Sequence, residues 1–314
     1  MARYIIGEFI KTKRIALGVS QEELCFGICE QHTLSNIENG KCKVKQQTYS
    51  KLMNKLNQYR SKNYGLIRTD NYEMLQIIDK ILEHLFNREY EIAQNLLDIL
   101  KSNINQDYNI NKQYILSMES NIKYNRGEID MKCYYNNLVE SIKLTIPRYD
   151  EIDLAKWVFT EQEFQIMMYI ATLYSSNNDY TNCKNLLLKL KSSLKKGGLD
   201  KVEYAKRFTL VVYNLANILG NEGKHQEAIN YSNKALDVCK TNKVTSLICY
   251  LVGAIAWNME QQIKKGIIDI SNEKICLDYY EKAYYLSFCR RDDTMTNFFF
   301  DRCKEKYPDK IRLL

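Results

Sequence analysis

Proline is nearly absent from this chain of 314 residues; only Pro147 and Pro308 occur. With so few breakers, and with Leu, Ile, Lys, Asn, Glu and Tyr dominant, helices can run without interruption, and an all-α fold is predicted. No apolar run approaches the ~18 residues of a membrane-crossing helix, and Tyr4-Ile5-Ile6 is too brief for a signal-peptide core. A cytoplasmic protein without membrane contact is therefore expected. Histidine is scarce at three residues, and none of the ten cysteines forms a Cys-x-x-Cys. Cys25 and Cys29 fall on one helical face, yet no His or further Cys completes a zinc spacing with them. Neither a metal nor a cofactor is expected. Gly-rich phosphate loops and nucleophile elbows are missing, and Asp292-Asp293 and His84 lack partners at catalytic spacing. No catalytic residue emerges, which excludes an enzyme from the expectation.

What is present is unevenly placed. Residues 1–68 carry 12 Lys and Arg against five Glu, so the whole excess of +7 sits in that stretch and the remainder is neutral. A duplex carries about one negative charge per 1.7 Å, and a phosphate-contacting module needs this asymmetry. The same stretch reads as a helix-turn-helix. Its first helix spans about Ile6 to Ala16, with Gly18 ending it. Ser20 is an N-cap and Glu23, three residues on, completes a capping box. Gly27 stops the second helix, and Leu24 and Ile28 point inward. The third helix begins near Glu30, buries Leu34 and Ile37, and closes at Gly40. That register exposes Gln31, His32, Ser35 and Asn36, with Thr33 beside them. Gln and Asn can bind adenine bidentately, while Ser, Thr and His offer single hydrogen bonds. Lys41, Lys43 and Lys45 follow at the backbone-facing end; Gln21, at the first turn of helix two, and Arg14 complete the candidate DNA contacts.

The quoted residues resemble a known family. Ser20-Gln21-Glu22-Glu23-Leu24 with Leu34-Ser35-Asn36-Ile37-Glu38-Asn39-Gly40-Lys41 is similar to the Xre/Cro-type repressor domain. The turn is one residue shorter than usual, and the form Ile28-Cys29-Glu30-Gln31 resembles that of PlcR-like regulators. Glu30 stands where a Ser cap is common.

Beyond residue 69 the chain repeats itself. The clearest unit is Tyr213-Asn214-Leu215-Ala216 … Leu219 … Gly223 to Tyr231 … Lys234-Ala235-Leu236, whose small and large residues follow the tetratricopeptide order. Weaker copies include Asn87–Ala93, Asn125–Tyr134, Asn178–Cys183 and Asn272–Ala283. Their small residues, at 93, about 132, 183, 228 and 276, lie 39 to 51 apart. About five such repeats predict a right-handed α-superhelix with the first helix of each pair lining its concave face. Cys183 and Cys276 stand where the strong repeat has Ala228, so they are expected to pack as small apolar residues. Phe298-Phe299-Phe300 suits a final sealing helix or a dimer contact.

Superposing the repeats places Asn121, Thr172 and Asn217 at one position, and Asn125, Ser176, Asn221 and Asn258 four residues further on. One amide or hydroxyl per repeat could bracket an extended peptide backbone, with Gln165, Tyr169 and Tyr213 supplying pockets. Ordinary helix-end capping is the competing account in a chain so rich in Asn. The expected domains are 1–58 (DNA reader), 59–69 (linker) and 70–314 (repeats for peptide sensing and dimerisation).

Reader and repeats together resemble the cytoplasmic pheromone receptors of the Rap/Rgg/NprR/PlcR/PrgX group. The resemblance implies a homodimeric transcription regulator, an imperfectly palindromic operator and a short signalling peptide bound by the repeats. Two alternatives stay open: a phage- or plasmid-type repressor whose repeats only dimerise, and a repeat adaptor that holds a partner protein.

Overall fold

The structure, a computed structural model, describes residues 4–16, 19–58, 66–69, 71–195, 199 and 201–306. Among these residues there are helices and no strands. They group into two compact units, Met1–Leu173 and Tyr174–Leu314. No described helix is long and apolar enough to cross a membrane.

The first unit opens with four short helices: α1 (Tyr4–Ala16), α2 (Gln21–Cys25), α3 (Gln31–Glu38) and α4 (Gln46–Gln58). Ile10, Leu24, Leu34, Ile37, Leu52 and Leu56 form their shared core. At Gly7 a Cβ would lie 1.8 Å from the Ile37 carbonyl oxygen, so only glycine lets α1 cross α3 this closely. The stop expected at Gly18 lies outside the described residues. Helix α4, which the repressor-like motif does not contain, supplies Leu52 and Leu56 and closes the core.

After the reader come helices in pairs: α5 (Tyr72–Phe86) with α6 (Tyr90–Asn103), and α7 (Asn109–Asn125) with α8 (Met131–Lys143). Helix α9 (Glu161–Ser176) carries the end of the first unit, at Leu173. The second unit holds α10 (Tyr180–Leu194), α11 (Lys201–Asn221) with α12 (His225–Asn242), α13 (Ile248–Lys264) with α14 (Glu273–Cys289), and α15 (Asp293–Lys306). Of the linker expected over 59–69, residues 59–65 lie outside the described residues. Leu66 and Ile67 are not linker: both are buried against Met74, Ile78 and Tyr114 in the repeat core. Asn111 locks this entry, its amide accepting from the Arg68 N–H at 2.6 Å and donating to the Arg68 carbonyl at 2.9 Å.

One local device recurs five times. A left-handed residue follows each of α5, α7, α9, α11 and α13: Arg88, Gly127, Asn178, Gly223 and Gly266. The next N–H then reaches back to the carbonyl five residues earlier, as in Glu89 to His84 and Lys224 to Leu219, both at 2.8 Å. This Schellman closure satisfies the orphan carbonyls and turns the chain into the second helix. The fourth residue of that second helix is always buried: Ala93, Tyr134, Cys183, Ala228 and Cys276. The small residue expected near 132 is thus replaced by a tyrosine at 134, which stacks on Tyr124 at 4.6 Å between centroids. At the end of the chain, Phe299 is 1 % exposed and fills the space over Gly253, where a Cβ would meet its ring at 2.4 Å.

Candidate functional site

In the reader, Ser20 accepts from the Glu23 N–H at 3.0 Å while the Glu23 carboxylate accepts from the Ser20 N–H at 2.6 Å. That reciprocal cap holds the Glu23 carboxyl below its usual value, the backbone bond from Ser20 being the main cause. Gly27 takes φ of +75°, turning the chain away before α3 begins. Glu30 precedes α3 with no side-chain cap. The far end is well closed: Lys41 N–H bonds Asn36 O at 2.8 Å and Gly40 N–H bonds Ile37 O at 3.0 Å, with Gly40 left-handed.

Between these ends, Gln31 and His32 are exposed and Thr33, Ser35 and Asn36 are half-buried, while Leu34 and Ile37 turn inward. Asn36 Nδ2 pairs with His32 Nε2 at 2.9 Å, one turn apart on the outward face. Lys41 is exposed beside the helix end. These side chains therefore share one accessible strip.

Arg14 and Gln21 are placed differently. Arg14 Nε and Nη2 donate to the two Glu38 oxygens at 2.6 and 2.9 Å, and Nη1 donates to the Val19 carbonyl at 2.9 Å. The Arg14 guanidinium, expected at phosphate, is thus committed to three acceptors within the first four helices. Gln21 Nε2 donates to Glu38 Oε2 at 2.7 Å, which leaves the half-buried amide only part of its bonding capacity. Glu38, 4 % exposed, is thus the organising group of the reader. In the sequence it reads as the polar end of a helix, and only the pairing of α1 with α3 reveals it.

The repeat residues divide in the same way. In the first unit, Asn121 is half-buried and donates to the Tyr134 hydroxyl at 2.8 Å, while exposed Asn125 donates back to the Asn121 carbonyl at 2.8 Å. Gln165 and Tyr169 lie one turn apart on α9 and hydrogen-bond each other; burial pushes the Tyr169 phenol up despite that bond. Exposed Thr172 returns its hydroxyl to the Met168 carbonyl at 3.0 Å. In the second unit, Tyr213 and Asn217 form a hydrogen-bonded pair on α11, both half-buried, and Asn221 is exposed at its end. Tyr213 meets Tyr250 edge-on at 5.7 Å, and Tyr250 donates to Asp292 at 2.6 Å. Tyr250 and Asp292 were not legible as part of this face, since 42 residues separate them.

Asn258 does not belong to an open face. It is 1 % exposed, its Oδ1 3.0 Å from His225 Nδ1 and its Nδ2 donating to the Ala254 carbonyl at 2.8 Å. Its position in the superposed repeats is right, but α13 is turned so that this side chain ties it to α12. Gly220 makes room, since a Cβ there would lie 2.8 Å from Asn258 Oδ1. Cys183 and Cys276 are 2 % and 0 % exposed, and burial pushes the Cys183 thiol up to about 11. Both side chains pack as small apolar residues at the buried fourth position of their helices.

No family model and no curated protein matches the chain. Solved structures do. The chain is similar to PlcR of Bacillus thuringiensis in complex with the peptide PapR7 and DNA: 20% identity, 94% of this chain and 99% of that one, TM-score 0.59. The apo form of the same protein matches with TM-score 0.59 at 14% identity, over 95% of this chain and 98% of that one. ComR from S. thermophilus, in complex with DNA and its signalling peptide ComS, matches at 15% identity over 94% and 97% of the two chains, with TM-score 0.51. Likeness at these identities establishes the fold alone, a helix-turn-helix domain followed by helical repeats, along essentially the whole chain.

Proposed function

We propose that this chain is a transcription regulator of the Rap/Rgg/NprR/PlcR/PrgX group, which reads DNA through α3 as a homodimer and binds a short signalling peptide on its repeats. The observation that carries the reading is the accessible strip Gln31, His32, Thr33, Ser35, Asn36 and Lys41, on a basic four-helix domain followed by the helices α5–α15 in an order shared with the PlcR and ComR structures. Gln31 and Asn36 supply the amides that read adenine, and Lys41 sits where it would meet phosphate. Peptide contacts fall to half-buried side chains of the first helices: Asn121, Gln165 and Tyr169 in one unit, and Tyr213 and Asn217 in the other. Asn125, Thr172 and Asn221 stand beside them, exposed. Asn258 supports the scaffold instead.

Operator selection with the full chain, followed by footprinting, tests the reader. Gln31→Ala and Asn36→Ala should each weaken specific binding by about 1–3 kcal/mol and spare non-specific binding, whereas Lys41→Ala should weaken both and flatten the salt dependence. An unchanged operator preference in both amide variants would remove α3 from its role. For the sensor, peptides from short reading frames beside the gene are titrated calorimetrically. A ligand at a hundred times its dissociation constant adds about 2.7 kcal/mol of stability. No peptide-dependent stabilisation would favour the plain repressor, whose repeats only dimerise.

A further inference from the structure

The four reader helices pack on one another, yet among the described residues none packs extensively against a repeat helix. The reader meets the body at a built point. Lys13 of α1 donates to Glu163 Oε2 of α9 at 3.0 Å, the two side chains being 9 % and 1 % exposed. Glu163 is held from other sides too: Thr145 Oγ1 donates to Oε1 at 2.8 Å, and the Thr160 N–H donates to Oε2 at 2.7 Å. Thr145 in turn accepts from Gln113 Nε2 at 2.7 Å, and Gln113 exchanges hydrogen bonds of 3.0 Å with Ser141. The acceptor that receives α1 is therefore fixed by α7, α8 and the capped start of α9. Taking two charges out of water offsets most of their attraction, so such a pair contributes more to defined geometry than to stability.

We propose that the Lys13–Glu163 pair fixes the orientation of the reader on the repeat body and thereby sets the half-site spacing that the dimer accepts. The inference rests on the dimeric DNA-binding reading above. Without this contact the angle of α3 to α9 would not be set at this point, and the dimer would tolerate more spacings. Pinned to a rigid acceptor, it offers α3 at one angle, so the two readers engage together only half-sites in the matching register. Lys13 and Glu163 are positioning residues here; neither needs to touch DNA.

The test uses the full chain and its selected operator, once with the selected spacing and once lengthened by about five base pairs, half a helical turn. For the parent the longer site forbids simultaneous engagement, which should lower affinity by about a hundredfold or more. Lys13→Met with Glu163→Gln removes both charges and leaves neither buried alone. This variant should bind a single half-site as the parent does, but its spacing penalty should shrink to about tenfold or less. Glu163→Gln alone keeps one oxygen to accept from the Thr160 N–H and puts an NH2 opposite the Thr145 hydroxyl, which can accept from it; without the charge on Glu163 it should loosen spacing in the same way, providing the measurement if the double variant does not fold. Lys13→Arg, which keeps the charge, should retain the parental preference. A full spacing penalty in the folded variants overturns the proposal, and so does tighter binding at every spacing, which would mean that the pair holds the reader off DNA. A parent that selects no operator overturns the DNA-binding reading beneath it.

Discussion

The reader and the repeats both carry rows of polar side chains at helical spacing, and the two rows meet different fates. On α3 the row faces outward as a strip, because Leu34 and Ile37 on the opposite side are drawn into one small core. Along the first helices of the repeats, the amides are taken up by the protein to varying degrees. Asn217 is half-buried beside Tyr213, Asn121 is bonded to Tyr134, and Asn258 is enclosed by α12. A lone helix in a small domain has one buried side. A helix within a stack is covered from several directions, and its outward face shrinks.

The contrast can be broken most sharply at Glu38. Truncating one partner of a buried ion pair leaves the other charge uncompensated, so Glu38→Ala should destabilise the reader by about 3–5 kcal/mol. Hydrogen exchange of the full chain should then show α1–α4 amides losing protection while α11–α14 keep theirs. Uniform loss throughout would mean that reader and repeats unfold as one.

Comparing two asparagines sharpens it next. Asn258→Ala leaves His225 Nδ1 without its partner and should cost about 1–3 kcal/mol of unfolding free energy. Asn217→Ala should stay within about 0.5 kcal/mol, as expected of a side chain outside the packed core, yet remove most of the peptide-induced rise in melting temperature. If urea titrations rank the two variants the other way, the division between scaffold and ligand-facing amides is wrong.

The smallest expected effect is on pH dependence, and it should appear in both units. Burial pushes the Glu163 carboxyl up, but Lys13, Thr160 and Thr145 outweigh it; at Glu260, Lys264, Tyr280 and Arg302 do the same. Both carboxyls end below the ordinary value. Their contribution is therefore complete above the unfolded glutamate value of about 4.3 and is lost as pH falls through the folded one. Acid titration of Glu163→Gln and Glu260→Gln should each give a shallower loss of stability below that point than the parent; a steeper loss would reverse the assignment.

How much was legible differs with the range of the interaction. Ser20 with Glu23, Gly27, and the Gly40–Lys41 closure are contacts within a few residues, so their chemistry is written in adjacent letters. The same holds for the turns of the repeats, although Arg88 and Asn178 occupy left-handed positions that glycine would mark more plainly. Thr160 and Glu163 also spell a capping box, a local signal that would have located the start of α9. Its second use, receiving Lys13 from 150 residues away, left no local trace.

By itself, then, the sequence determined the helical class, the helix-turn-helix with the outward side of its third helix, and the succession of helices that follows. Helical periodicity, capping chemistry and charge segregation are properties of short windows, and each has one stable reading. Only the tertiary structure decided that Arg14 and Gln21 turn to Glu38, that Asn258 is scaffold, that Leu66 and Ile67 already belong to the repeat core, and that α1 is pinned to α9. Each depends on which distant helix covers a given face. A polar side chain lowers its free energy by bonding whatever partner that covering brings, whether or not a ligand was the expected one.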